Sequence, residues 1–222
     1  MKHLHEWNLS YAEAIKLQRR LAGRVLHKCI GKTPKLVAGI DCAFTKDKQR
    51  IIGCVVVLTC PQMDVVEIRH AVRKVTFPYI PGLLSFREAP VCLDAVEKLK
   101  HRPDLFMIDG QGVAHPRRLG LAAHLGLFFD KPTVGCAKSR LIGAYEMPAH
   151  QKGAYSYLRD ADEIIGAVVC TRSKVKPVFV SVGHRCTLSD AISLVIECAT
   201  RFRVPEPTRL ADIEVAKIKA AL

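Results

Sequence analysis

Three carboxylates in this chain stand where an apolar strand or helix would deliver them to an edge. Asp41 follows VAGI, Asp109 follows DLFMI, and Glu88 comes just after the Pro- and Gly-rich stretch PYIPG. A carboxylate at the end of a buried strand is costly unless hydrogen bonds or a cation compensate it. A single such aspartate is explained by a cap on the next turn. Two on separate strands, with a glutamate near the same edge, fit a shared hard cation better, and Mg²⁺ takes oxygen ligands and keeps waters beside a few carboxylates. Lys138, closing PTVGCAK, is either a solvated strand end or a cation placed to stabilise phosphorane-like charge or position water.

The surrounding pattern says which elements must hold these groups. Residues 9–28 carry apolar positions at mostly helical spacing behind Ser10, a plausible cap. VAGIDCAF, IIGCVVVLTC and VVEIRHAVRKV are three β-rich runs, read as an antiparallel meander. SFREAPVCLDAVEKL reads as a helix capped at Ser85, with Pro90 expected in its first turn. Strands and helices then alternate: DLFMIDG, RLGLAAHLGLFF, PTVGCAKS, EIIGAVVCTR and PVFVSVG. TLSDAISLVIECATRF follows as a helix capped by Thr187 or Ser189, and a basic amphipathic helix comes after PEPTR. The order β-β-β-α-β-α-β-β-β-α predicts one mixed sheet covered by helices, in a single domain over 1–222. Topology and acid placement together describe the ribonuclease-H-like architecture, an α/β class that leaves resolvases, transposases, ribonucleases and argonaute-like proteins all open.

Composition narrows the partner. The 222 residues suffice for one sizeable core. A balance of 34 Lys+Arg against 21 Asp+Glu, net +13, favours a polyanion, because each neutralised phosphate releases condensed counterions. Of the nine cysteines, Cys54, Cys136, Cys170 and Cys198 lie inside apolar runs and no CxxC pair occurs, which argues against a disulfide framework or a zinc site. The N-terminus lacks the apolar core of a signal peptide, and no apolar run is long enough to span a membrane. A reducing, cytoplasmic setting is expected.

The segments between the strands are more specific. PYIPGLLSFRE from Pro78, DGQGVAHPRRLGLAAHLG from Asp109, PTVGCAKSRLIG from Pro132, then GHR and PEPTRLAD resemble the endonuclease V family (deoxyinosine 3′ endonucleases). Order and spacing match over almost the whole chain. The resemblance implies a Mg²⁺-dependent nuclease, with Mn²⁺ able to substitute, acting as a monomer on deoxyinosine-containing DNA. It would cut the second phosphodiester bond 3′ to the lesion, leaving 3′-hydroxyl and 5′-phosphate ends. Asp41, Glu88 and Asp109 then match the metal-binding and catalytic acids, and His115 and Lys138 lie close to the catalytic centre. Tyr79, Ile80, Pro81 and Gly82 match a wedge that enters the duplex where the base has left. Gly82, Leu84, Gly110 and Gly112 would line the lesion pocket, and Arg117 and Arg118 would contact phosphates. His184 and Arg185 are candidates to support the site from a neighbouring strand. Gln111 and Val182 are departures: many relatives have His at the first position and some have Pro at the second. An inosine-directed ribonuclease and a non-cleaving inosine binder are the other readings, the second disfavoured because recognition alone needs no set of three acids.

Overall fold

The computed structural model describes residues 1–222. Its elements are α1 (Tyr11–Ala22), β1 (Leu36–Phe44), β2 (Arg50–Thr59), β3 (Val65–Lys74), α2 (Leu84–Glu97), β4 (Leu105–Ile108) and α3 (Leu121–Phe129). There follow β5 (Thr133–Ala137), β6 (Tyr155–Asp160), β7 (Glu163–Val169), β8 (Val178–His184), α4 (Leu188–Cys198) and α5 (Glu206–Ala221). All eight strands form one sheet in the order β3-β2-β1-β4-β5-β8-β7-β6. The β1–β2–β3 meander is present, and β4 and β5 add in parallel to β1. β5–β8, β8–β7 and β7–β6 then pair antiparallel. This is the expected mixed, ribonuclease-H-like sheet with helices on both faces.

Strand periodicity decides which helix each residue meets. Ala38 and Ile40 of β1 pack into the core under α2 and α3, whereas Val37 packs under α4. Asp41 therefore lies on the face of Val37, the side that α5 also covers through Ala211 and Val215. The approach of α5 is close: a Cβ built on Gly39 would fall 1.9 Å from the Pro207 carbonyl oxygen. Only a residue without a side chain lets the start of α5 rest on β1 here. α1 packs on the opposite side, its Leu17 and Leu21 sharing a cluster with Phe77, Leu83 and Phe86.

The expected caps hold at α1 and α4. Ser10 and Glu13 form one capping box, Thr187 and Asp190 the other. Three expectations need correction. Ser85 does not cap α2, which begins at Leu84 with no side-chain cap; its hydroxyl turns inward to His124 Nδ1 at 3.0 Å. Pro90 consequently lies in the second turn, where its missing N–H leaves the Phe86 carbonyl without the usual donor. The last helix starts at Glu206, so PEPTR lies mostly within it. A strand was also missed: β6, whose sequence YSYLRD buries only Leu158.

Candidate active site

The two strand-end aspartates meet because their strands are neighbours. β4 runs beside β1 in register, and the Asp109 N–H continues the ladder to the Ile40 carbonyl at 3.0 Å. Both carboxylates thus emerge on the same face of the sheet. Burial pushes the Asp41 carboxyl well above the usual range, and the neighbouring Asp109 charge pushes it further; the Cys42 N–H, 2.8 Å from Oδ1, only partly restores it. Burial also raises Asp109, against the pull of Lys138. Glu88, half-buried on α2, is raised to about 7, chiefly by burial, with the Cys42 thiol and Arg87 pulling the other way.

Lys138 answers this negative charge. It leaves the end of β5 and puts Nζ 2.6 Å from Asp109 Oδ2 and 3.2 Å from Asp212 Oδ2. Burial disfavours its charge, but these two hydrogen bonds outweigh that and hold it above its ordinary range. Asp212 was not singled out from the sequence. It follows Thr208 by one turn of α5 and adjoins buried Ala211, and its charge raises both Asp41 and Asp109. The signal was present in PEPTRLAD and the residues just after it, where positions 208, 211, 212 and 215 form a helical stripe with one acid in it.

No three His, Cys, Asp or Glu side chains stand at metal-ligand spacing in this conformation. The chemistry of the donor set nevertheless suits a hard divalent ion. All its donors are carboxylate oxygens, and three of them are raised by burial or mutual repulsion, so positive charge would stabilise their ionised forms.

Beside the acids is a pocket of about 190 Å³, lined by Tyr79, Ile80, Pro81, Gly82, Leu84 and Ser85 on one wall. Glu88, Asp109, Gly110, Gln111, His115 and the 119–121 segment complete it. It is smaller than the roughly 300–1,000 Å³ of drug-sized sites and suits a single ring system. Two polar features await a partner. The first-turn N–H groups of α2 have no side-chain cap, and the buried Gln111 Oε1 has no hydrogen-bond donor although its amide N–H reaches the Ser139 carbonyl at 3.0 Å. Tyr79 projects at the rim, 70% exposed, while Ile80 packs against the α1 cluster.

The family model for Endonuclease V matches residues 19–213. The chain belongs to the endonuclease V family. It is 46% identical over 218 residues to an Endonuclease V of Dehalococcoides mccartyi, covering 98% of each chain. Among solved structures, Endonuclease V of Streptomyces avermitilis superposes with a TM-score of 0.92 at 41% identity, covering 97% of this chain and 96% of that one. Endonuclease V of Ciona intestinalis, captured with a 24-mer DNA containing an inosine followed by a ribo-adenosine, superposes at 0.82 and 28% identity, covering 95% and 98%.

Within this endonuclease V fold several expected site residues have other duties. Gly112 does not line the pocket. A Cβ there would lie 2.0 Å from the Val182 carbonyl oxygen, so this glycine lets the loop after β4 pack on β8. Neither arginine presents a free head to phosphate. Arg118 is held by Asp160 at 2.9 Å and Glu163 at 2.7 Å, and Arg117 is turned inward to Gln18 and the Gly82 carbonyl. His115 has both ring nitrogens engaged, Nδ1 accepting from the Arg117 N–H at 3.1 Å and Nε2 on the Gly82 carbonyl at 3.1 Å. With both nitrogens committed it anchors a loop, and burial and the two arginines lower its pKa to about 4 and keep the ring neutral. His184 and Arg185 are remote. His184 pairs with Thr133 at the start of β5, opposite the end that bears Lys138, and both residues bind Asp130.

Proposed function

We propose that this endonuclease V homologue recognises hypoxanthine in DNA and hydrolyses the second phosphodiester bond on its 3′ side, leaving 3′-hydroxyl and 5′-phosphate ends. One observation carries the reading: a pocket of single-ring-system size opens directly onto Glu88 and Asp109, with an exposed aromatic residue at its rim. The Ciona relative's inosine-containing DNA supports the choice of base. Extruding a base costs a few kcal/mol of stacking, least where the pair is already damaged. Tyr79, with Ile80 and Pro81 behind it, would fill the vacated stack. The N–H groups at the start of α2 that no side chain caps suit the 6-oxo group of hypoxanthine and mismatch the 6-amino group of adenine. Guanine adds a 2-amino group that a close-fitting wall excludes.

Asp41, Glu88 and Asp109, joined by Asp212, would hold Mg²⁺ or Mn²⁺. Bound there, the ion would supply an activated water and neutralise charge on the leaving 3′ oxygen. Lys138 places an ammonium against Asp109, where it would balance phosphate charge. The nine unpaired cysteines suit a reducing compartment such as the cytoplasm, and no helix is long and apolar enough to cross a membrane. A second reading, RNA as the strand, is favoured by the ribo-adenosine beside the inosine in the Ciona complex. Matched inosine-containing DNA and RNA strands, with products mapped at nucleotide resolution, test both. A single cut one nucleotide beyond the lesion is expected; scattered cuts would sink the proposal.

Two further outcomes are expected. Because burial raises Asp41, Glu88 and Asp109, protons compete with the cation, and Mg²⁺ affinity should climb as pH rises from 6 to 8.5. Calorimetry should show protons released on binding; an affinity independent of pH would remove these acids from the ligand set. Affinity for undamaged duplex should fall with salt by about 0.9 log units per log unit for each phosphate contacted. Arg118→Ala should leave that slope unchanged, since its guanidinium is committed to Asp160 and Glu163. A reduced slope would restore Arg118 as a phosphate contact.

A further inference from the structure

The Gly82 carbonyl receives three hydrogen bonds, one more than its two lone pairs ordinarily take: Gln18 Nε2 at 3.0 Å, His115 Nε2 at 3.1 Å and Arg117 Nη2 at 2.7 Å. Gln18 belongs to α1, is 0% exposed, and closes the network. Its Nε2 also donates to the Leu119 carbonyl at 2.8 Å, and its Oε1 accepts from Arg117 Nε. The tautomer of His115 follows from its partners: Nδ1 accepts from a backbone N–H, so the ring proton is on Nε2 and points at Gly82. Gly82 itself has φ +77°, and a Cβ there would lie 2.6 Å from Arg117 Nη2. Glycine lets the carbonyl meet the guanidinium in this conformation. Three residues earlier, Tyr79 extends into solvent with 70% of its surface exposed.

A free aromatic tip therefore stands on a root clamped from two other segments of the chain. We infer that Gln18, working with Arg117 on the Gly82 carbonyl, is a positioning residue for strand opening: it pre-orders the loop that carries Tyr79. This rests on the wedge reading given above. Ordering a loose loop during insertion would set lost conformational entropy against the stacking gained, and a loop already fixed avoids that loss. A fully buried glutamine whose side chain ties the Gly82 loop to the Arg117–Leu119 segment could also serve folding stability alone. The two roles differ in what they do to paired and unpaired substrates.

Gln18→Glu separates them. It keeps the shape and the acceptor for Arg117 Nε, and turns the donor facing Gly82 and Leu119 into a carboxylate oxygen that repels both carbonyls. We expect kcat/KM on fully paired inosine duplex to fall roughly five- to thirtyfold, with little change on inosine single strands. In a Tyr79→Ala background the same substitution should leave the duplex-to-single-strand ratio where Tyr79→Ala alone put it, because both act through one ring. Equal losses on the two substrates, or a further fall in the ratio in the double variant, would overturn the inference. If Gln18→Glu does not fold, the ratio is read on Gln18→Met, which removes the same donors without adding charge. If Tyr79→Ala itself leaves the ratio unchanged, the wedge reading fails and this inference with it. A changed ratio for Tyr79→Ala with none for the Gln18 variants rejects the positioning role alone.

Discussion

Asp41→Asn is expected to abolish strand cleavage and to raise the melting temperature of the same protein. The activity loss follows from removing a ligand charge at the point where the leaving oxygen develops its own. Such stabilisation is worth several kcal/mol, so loss of about 4 kcal/mol lowers the rate on the order of a thousandfold. The stability gain follows from burial. A carboxyl whose folded pKa is raised binds more protons folded than unfolded, so its ionisation costs stability as pH rises. That cost is absent below the unfolded value of about 4, grows through the neutral range, and is full above the raised folded value. Asparagine carries no charge and keeps an oxygen for the Cys42 N–H. The variant should therefore match the parent in melting temperature near pH 4 and exceed it at pH 8 without divalent ions. Added Mg²⁺ should raise the parent's melting temperature more than the variant's. Near-parental cleavage, or an equal melting temperature at pH 8, would remove Asp41 from its proposed place.

Tyr79→Ala should leave folding and cation binding almost untouched while weakening attack on paired substrate. The ring is 70% exposed, so its removal leaves little cavity. Base stacking on an aromatic side chain is worth about 1–3 kcal/mol, roughly ten- to a hundredfold. The loss should be larger on fully paired duplex than on single strands, where less unstacking is needed. Single-turnover rates on the two substrates, alongside a melting curve, decide the matter. Equal losses on both would mean that Tyr79 serves the loop rather than the opened stack.

The two central acids were legible because each interrupts a run of apolar residues, and a charge placed there needs a reason. Asp212 was harder to see. Its helix mixes Lys, Asp and Glu along its length, and only the contact of α5 with β1 separates the useful acid from the solvated ones. Ser85 misled because a serine ahead of a helical run has the look of a cap, whereas a buried histidine from α3 takes its hydroxyl. β6 was missed for a different reason. As an edge strand with tyrosines outward and one leucine inward, it lacks the apolar weight by which the other strands announce themselves. The arginines following His115 look from sequence like phosphate contacts. Their partners, Gln18 and the acids at the β6–β7 turn, lie far away in the chain and become neighbours only on folding.

The seating of α5 on Gly39 brings the first and last acids of the centre together, Asp41 from β1 and Asp212 from α5. During synthesis, a ribosome has made Asp41 long before it makes Asp212. Every shorter intermediate lacks one charge of the centre and leaves the β2 face under Ala211 and Val215 uncovered. A chain cut short by premature termination or by proteolysis before α5 would expose that apolar face and lack the Asp212 charge. The full set of acids is thus assembled only once α5 has been made and folded onto β1.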